Sequence, residues 1–160
     1  MTANMSDAQT RQVRLATPDD MGAVVGMLRE LAAFEQAPAG ALRCTVEAFE
    51  RDGFGPGALF TCLVAEEAGQ VVGFLMLIPT YSSWLARPGL MIHDLYMRPE
   101  WRGTGLGRAL VARAIALGRE RGCGRLDVNV LGWNEARRFY EKQGFVAQPD
   151  WVLHRLTLEP

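Results

Sequence analysis

The segment Arg102-Gly103-Thr104-Gly105-Leu106-Gly107-Arg108 offers the first chemistry in this sequence. Glycines at alternate positions remove the Cβ atoms that would keep a ligand away from the backbone. With a helix starting inside the run, consecutive N–H groups converge on one concavity at the positive end of the helix dipole, which suits a diphosphate. Spacing separates the loops that hold such groups. The Gly-Lys-Ser/Thr of a P-loop is absent, and the dinucleotide pattern G-x-G-x-x-G meets Arg108 where its third glycine belongs. Asp127 lies at a tolerable distance for a ribose contact, but early in its own strand. A nucleotide-redox loop, a purely structural turn and an R-x-x-G-x-G diphosphate loop are the readings that remain.

Other chemistry is limited by what the chain contains. Cys44, Cys62 and Cys123 form an odd set with no C-x-x-C and no histidine at ligand spacing, so three reduced thiols are expected and no metal. A formal net charge of −1 argues against nucleic acid as the main partner, because phosphate backbones need a clustered basic excess. Lys142 is the only lysine among 17 basic residues, but the arginines are spread along the chain and mark no site. The polar start MTANMSDAQT is no signal peptide, and the longest apolar run, Val71 to Ile78, is strand-length. A cytoplasmic protein with no membrane partner is expected.

The elements that must position the glycine turn follow from local signals. Residues 1–12 lack periodicity and read as a tail ahead of one domain spanning 13–160. Val13 to Ala16 is a short strand. Thr17-Pro18-Asp19-Asp20 opens a helix whose apolar positions Met21, Val24, Val25, Leu28 and Leu31 run to about Phe34. Thr45 caps a shorter helix to about Arg51. Phe60–Glu66 and Val71–Thr80 flank Ala68-Gly69 as a hairpin. A loop with Trp84 and Pro88 leads to a strand at Leu90–Met97. After the glycine turn, Leu106, Leu110, Ala114 and Leu117 share a helix face. Arg125–Leu131 reads as a strand, Asn134–Gln143 as a helix closed by Gly144, and Trp151–Leu158 as a last strand. The order β-α-α-β-β-β-α-β-α-β gives a mixed α/β domain.

The surroundings of the glycine turn resemble a known family. His93-Asp94-Leu95-Tyr96-Met97-Arg98-Pro99-Glu100-Trp101-Arg102-Gly103 is similar to the strand-and-loop signature of the GNAT acetyltransferases. Trp133-Asn134-Glu135 and Arg138-Phe139-Tyr140-Glu141-Lys142-Gln143-Gly144-Phe145 resemble that family's C-terminal motif. The likeness extends over the chain from residue 13 onward. Leu31 to Glu35, Asp52 to Gly55, Cys62 to Glu66 and Thr80 to Trp84 further resemble the diamine branch, the spermidine/spermine and thialysine enzymes. Two departures stand out: His93 occupies a position where that branch carries glutamate, and the stretch from Asn134 to Tyr140 is one residue shorter than usual.

The resemblance implies a GNAT fold, a central mixed and mostly antiparallel sheet splayed near Leu95 to Met97 with helices on both faces. It implies acetyl-CoA as cosubstrate, a small-molecule amine as partner and a homodimer. The strand at Leu95, Tyr96 and Met97 would pair with the pantetheine arm and polarise the thioester carbonyl. Asn134 would contact pantetheine, and Arg102, Gly103, Thr104, Gly105, Leu106, Gly107 and Arg108 would hold the phosphates, with solvated surface as the alternative for Arg108. Tyr140 would be the general acid, with packing beside Phe139 as the alternative.

An amine of lysine type has a pKa of about 10.4, so it must lose a proton before it attacks. An imidazole near 6.5 is better matched to that task than a carboxylate near 4.3, which makes His93 a candidate base. Asp94 is the fallback, and a histidine hydrogen-bonded within the sheet is the competing reading. Strand alternation puts His93 and Leu95 on one face and Asp94 on the other unless a bulge intervenes, and the family resemblance implies such a bulge beside this strand. Glu35 matches the acid of the branch's substrate pocket, with Phe34, Tyr81 and Trp84 as a cation cage or as core aromatics. The expected reaction acetylates a primary amine of a small molecule, with a diamine or polyamine, a thialysine-like amino acid and a monoamine all left open. An acetyltransferase for protein N-termini or lysines and a non-catalytic acyl-CoA-binding domain are the alternatives.

Overall fold

The computed structural model describes residues 11–158, and the chain forms two compact units, one ending at Asn129 and one beginning at Val130. Most of the expected tail lies outside the described residues, whereas Arg11 and Gln12 already belong to the first strand.

The first unit is built on a five-stranded sheet in the order β1 (Arg11–Leu15), β2 (Thr61–Glu67), β3 (Gln70–Ser82), β4 (Arg87–Met97), β5 (Leu126–Val128). The first four strands pair antiparallel and β5 pairs parallel to β4, the mixed, mostly antiparallel sheet expected. Short turns join β2 to β3 and β3 to β4, whereas long connections join β1 to β2 and β4 to β5. Ala68 (φ 49°) and Gly69 (φ 79°) make a two-residue turn with both residues left-handed, the geometry that matches strand twist in a tight hairpin. Pro88, expected in a loop, lies within β4, where it pairs with Tyr81.

Helices cover both faces. Helix α1 (Met21–Phe34) places Met21, Val24, Met27, Leu28 and Leu31 against Cys62, Val64, Phe74, Met76 and Tyr96, with Val46 and Phe49 of α2 (Val46–Gly53) packed at the margin. The alternate sheet residues, among them Leu63, Leu75 and Leu77, are also buried, beneath α3 (Leu106–Glu120). Gly107 and Gly118 of α3 lie close to Met97 and Leu90. The entry to α1 is tied to the sheet edge by charge. The guanidinium of Arg14 donates to both oxygens of buried Asp20 at 2.7 and 3.0 Å and through Nε to Glu66 at 2.8 Å. Asp20 in turn accepts from the Thr17 N–H at 2.7 Å.

The second unit contains α4 (Ala136–Lys142). It starts later than the expected Asn134, with Glu135 as its N-cap: the Asn134 Oδ1 accepts from the Ala136 N–H at 2.9 Å, a local turn that holds Asn134 outside the helix. Gly144 closes it as expected (φ 93°). The strand expected at 151–158 does not form. This stretch has no regular structure, and the backbone bond of Trp151 goes to Gln148, a turn contact rather than a ladder. Strand β5 is likewise shorter than Arg125–Leu131: Leu126–Val128 pair with Leu90–Ile92, and the Arg125 carbonyl ahead of them accepts from the Leu90 N–H at 3.2 Å.

Candidate active site

The glycine turn is open backbone. Gly103 (φ 74°) and Gly105 (φ 91°) are left-handed, and a Cβ at either would meet nothing within 4 Å. Helix α3 begins at Leu106 with Gly105 as its cap. Among the described residues, the N–H groups from Gly103 to Arg108 have no acceptor in the protein, so six consecutive amides face outward at the positive end of a 15-residue helix. Thr104 Oγ1 donates to the Trp101 carbonyl at 2.7 Å and stiffens the turn. Arg102 is folded back: its Nε donates to the Met97 carbonyl at 3.0 Å and its guanidinium lies 5.5 Å from the Tyr96 ring and 5.7 Å from the Phe34 ring. Arg108 is exposed and makes no ion pair among the described residues.

Strand β4 approaches the turn with one edge uncovered. The Arg98 N–H donates to the Val72 carbonyl, so the opposed pairs Tyr96–Phe74 and Asp94–Met76 turn their backbone groups toward β3. Leu95 and Met97 therefore turn theirs away from β3. On that side β5 pairs only with Leu90–Ile92. The Leu95 N–H and C=O and the Met97 N–H are thus left without a strand beside them in this unit. The Tyr96 side chain is buried, and its hydroxyl donates to Glu30 Oε2 at 3.0 Å.

A bulge decides where the acid–base candidates go. Leu77 pairs with Ile92 while Met76 pairs with Asp94, so His93 is the extra residue in β4. Simple alternation would send Asp94 to the face of Ile92. The extra residue instead turns Asp94 to the face of Met76, toward α1 and α2. His93 and Asp94 accordingly line one cavity of about 460 Å³, with Leu95 on the opposite face of the sheet. The remaining wall comes from Leu28 of α1, Leu42, Arg43 and Cys44 of the connection, Ala48, Phe49 and Asp52 of α2, and Leu59 and Phe60 ahead of β2.

The electrostatics of this cavity follow from desolvation. Burial raises the Asp94 carboxyl above the usual carboxylate range, and the neighbouring His93 charge partly offsets that. Glu35 at the end of α1 is raised as well, by the protein mass around it and then by repulsion from Asp94. Burial also raises the Cys44 thiol, against the pull of Arg29. Buried Cys62 is pushed up to about 12, and none of the three cysteines is bridged. Among the described residues, no group of three His, Cys, Asp or Glu side chains has metal-site geometry.

The residues expected to cage a cation are not gathered here. Phe34 packs beside Arg102. Tyr81 and Trp84 stand at the β3–β4 turn, 67% and 90% exposed, and line no part of the cavity. Core packing, the other reading for both, does not occur either. The reason is the length of the hairpin: β3 and β4 run on past the bulge to a turn closed by the Leu85 N–H donating to Ser82 Oγ. Sequence reasoning missed Arg43, Cys44, Phe49 and Asp52, which stand on a connection and a short helix whose patterns reveal nothing about which sheet face they cover.

In the second unit Tyr140 is buried between Phe139 and Phe145, with ring centroids 5.3 and 5.4 Å away, both edge-on. Asn134 lines a polar groove of about 400 Å³ with Trp133, Glu135, Arg137, Arg138 and Glu141.

Comparison with known proteins matches this arrangement to a family. Residues 26–145 match the profile described as the Acetyltransferase (GNAT) family. The chain is 31% identical to the thialysine N-epsilon-acetyltransferase of Mus musculus over 95% of each chain. It is also 31% identical to the human spermidine/spermine N(1)-acetyltransferase-like protein 1, over 92% of this chain and 23% of that longer protein. Among solved structures, an aminoglycoside acetyltransferase from an uncultured soil metagenomic sample superposes with a TM-score of 0.77 at 18% identity, covering 93% of this chain and 97% of that one. That likeness is one of fold. The open glycine turn, the uncovered β4 edge and the family match agree, and the chain belongs to the GNAT family of acetyltransferases.

Proposed function

We propose that the protein acetylates a primary amine of a small molecule, with acetyl-CoA as cosubstrate, by direct attack of the deprotonated amine. The observation that carries this reading is the bulge at His93. It puts two proton acceptors on a cavity wall, on the same strand whose next residues bare their backbone beside the glycine turn.

The outward amides of Gly103 to Arg108 fit a diphosphate, with the Arg108 side chain adding charge. Arg102, tied to Met97 and the Phe34 and Tyr96 rings, holds the turn in place. Leu95 and Met97 offer the backbone groups for the pantetheine arm, and an N–H there polarises the thioester carbonyl. His93 and Asp94, directly or through water, take the proton of the ammonium, so that nitrogen bonds to the acyl carbon as the carbon–sulfur bond breaks. Tyr140 returns a proton to the thiolate and Asn134 contacts the pantetheine; these two roles rest on the family likeness. Tyr81, Trp84 and Glu35 are not among the residues that line the cavity, which leaves the substrate cation to Asp94, with Glu35 close enough to feel its charge.

The names of the relatives support an aliphatic amine, on an amino acid in one case and on a polyamine in the other. Free-thiol release from acetyl-CoA across polyamines, diamino acids, aminoglycosides and peptides tests the reading. Turnover of small amines is expected. Coenzyme binding with no turnover of any amine would assign a non-catalytic acyl-CoA-binding role instead. Three unbridged thiols and the family likeness support a cytoplasmic homodimer, which sedimentation velocity tests.

A further inference from the structure

The wall of the cavity that holds His93 and Asp94 is mostly hydrocarbon. Leu28, Met76 and Ile78 line it together with Phe49 and Phe60, whose ring centroids lie 5.2 Å apart. Leu42 and Leu59 line it too, yet they are 38% and 64% exposed. Large apolar side chains left in water on the wall of a cavity are surface that an apolar ligand covers with gain.

Charge on this wall is sparse. Apart from His93 and Asp94, its ionisable groups are Arg43, Asp52 and the Cys44 thiol, which burial raises and so keeps protonated. Asp52 is bound by Arg51 through two bonds of 2.8 and 2.7 Å, so its charge is already answered. Arg43 has the sign of an ammonium and draws in no cation. Glu35, Tyr81 and Trp84 are not among the lining residues. One carboxylate on the wall, that of Asp94, is left to receive a cation. A diamine, a polyamine or a diamino acid brings a second ammonium, which must leave water with no free acid on the wall to replace it.

Resting on the transferase reading above, we infer that the acceptor is a monoamine with an apolar body, its nitrogen at Asp94 and its hydrocarbon against the leucine and phenylalanine side chains of the wall. This substrate class departs from the amino acid and the polyamine in the names of the relatives. Binding then comes mainly from apolar area removed from water, so it strengthens with each methylene until the cavity is filled.

The test follows thiol release from acetyl-CoA with the full chain on n-butylamine, n-pentylamine and n-hexylamine. Cadaverine and L-lysine put further charges on the same five-carbon chain. Along the monoamines kcat/KM is expected to rise about two- to fourfold per methylene. n-Pentylamine is expected to exceed both cadaverine and L-lysine by about tenfold or more. Leu59→Asp sets an acid at an exposed position of the wall, and should cut the preference for n-pentylamine over cadaverine about tenfold. A general structural defect would lower both amines alike, and a ratio unchanged in this variant would overturn the inference. Cadaverine or L-lysine outranking n-pentylamine, or a monoamine series flat in chain length, would overturn it too, with the transferase reading intact. Acetyl-CoA binding without turnover of any amine would remove both.

Discussion

His93 and Asp94, the two candidate bases, are different kinds of group. Asp94 is a half-buried carboxyl whose raised pKa makes it a better base near neutrality than an exposed aspartate. His93 is exposed and stands beside it on the same wall. If the imidazole takes the proton, His93→Gln removes the acid limb of the kcat/KM profile against pH. A limb that survives in that variant belongs to Asp94 and lies above the ordinary carboxylate range, since burial has moved it upward. Asp94→Asn is expected to lower kcat by about 10²–10⁴-fold in the second case. Stopped-flow thiol detection over a pH series separates the two outcomes. Alternation alone places the two on opposite faces; the bulge that joins them on one wall was expected only from the family resemblance.

At the scale of elements, two turns with positive φ make opposite predictions. Gly105 caps α3 at φ 91°, in the middle of the outward amides. Gly105→Ala forces a Cβ into the left-handed region at a cost of about 1–2 kcal/mol and into the space a diphosphate would fill. Calorimetry should show acetyl-CoA binding weakened by about tenfold or more with the rest of the fold retained. Unchanged affinity would remove the glycine turn from the cosubstrate site. Ala68, at φ 49°, already bears the strain of the left-handed region in the β2–β3 turn. Ala68→Asn there gives the Asn-Gly pair such turns favour, and should stabilise the protein by about 0.5–1 kcal/mol. A shift in urea midpoint with unchanged slope would show it.

For the whole molecule, stability against acid rests in part on Asp20. Its pKa is lowered, first by the hydrogen bond from Arg14, against burial that opposes it. A carboxylate lowered on folding stabilises the native state in full above the unfolded value of about 3.9, and that contribution is lost as pH falls through the depressed native value. Asp20→Asn should therefore cost about 1–3 kcal/mol near neutral pH, and the gap from wild type should narrow in strong acid. Arg14 joins β1, β2 and the start of α1 through this carboxylate and Glu66, so the loss would be felt across the first unit. Thermal melts from neutral pH down to about 2 check both the size and the sign.

Local chemistry determined the parts of this protein that depend only on neighbours in the chain. Thr17-Pro18-Asp19-Asp20 opened α1, Ala68-Gly69 turned β2 into β3, and the glycines before Leu106 started α3, because caps and left-handed residues set backbone angles within a few positions. The same signals, with the motifs around Asp94 and Tyr140, carried the family. The tertiary structure decided the rest. Whether His93 bulges depends on how β4 registers with β3. Which residues wall the cavity depends on where the connection through Arg43 and Cys44 folds across the sheet. Trp151–Leu158 has the apolar pattern of a strand yet forms none, since a strand needs a partner's edge and periodicity alone does not supply one.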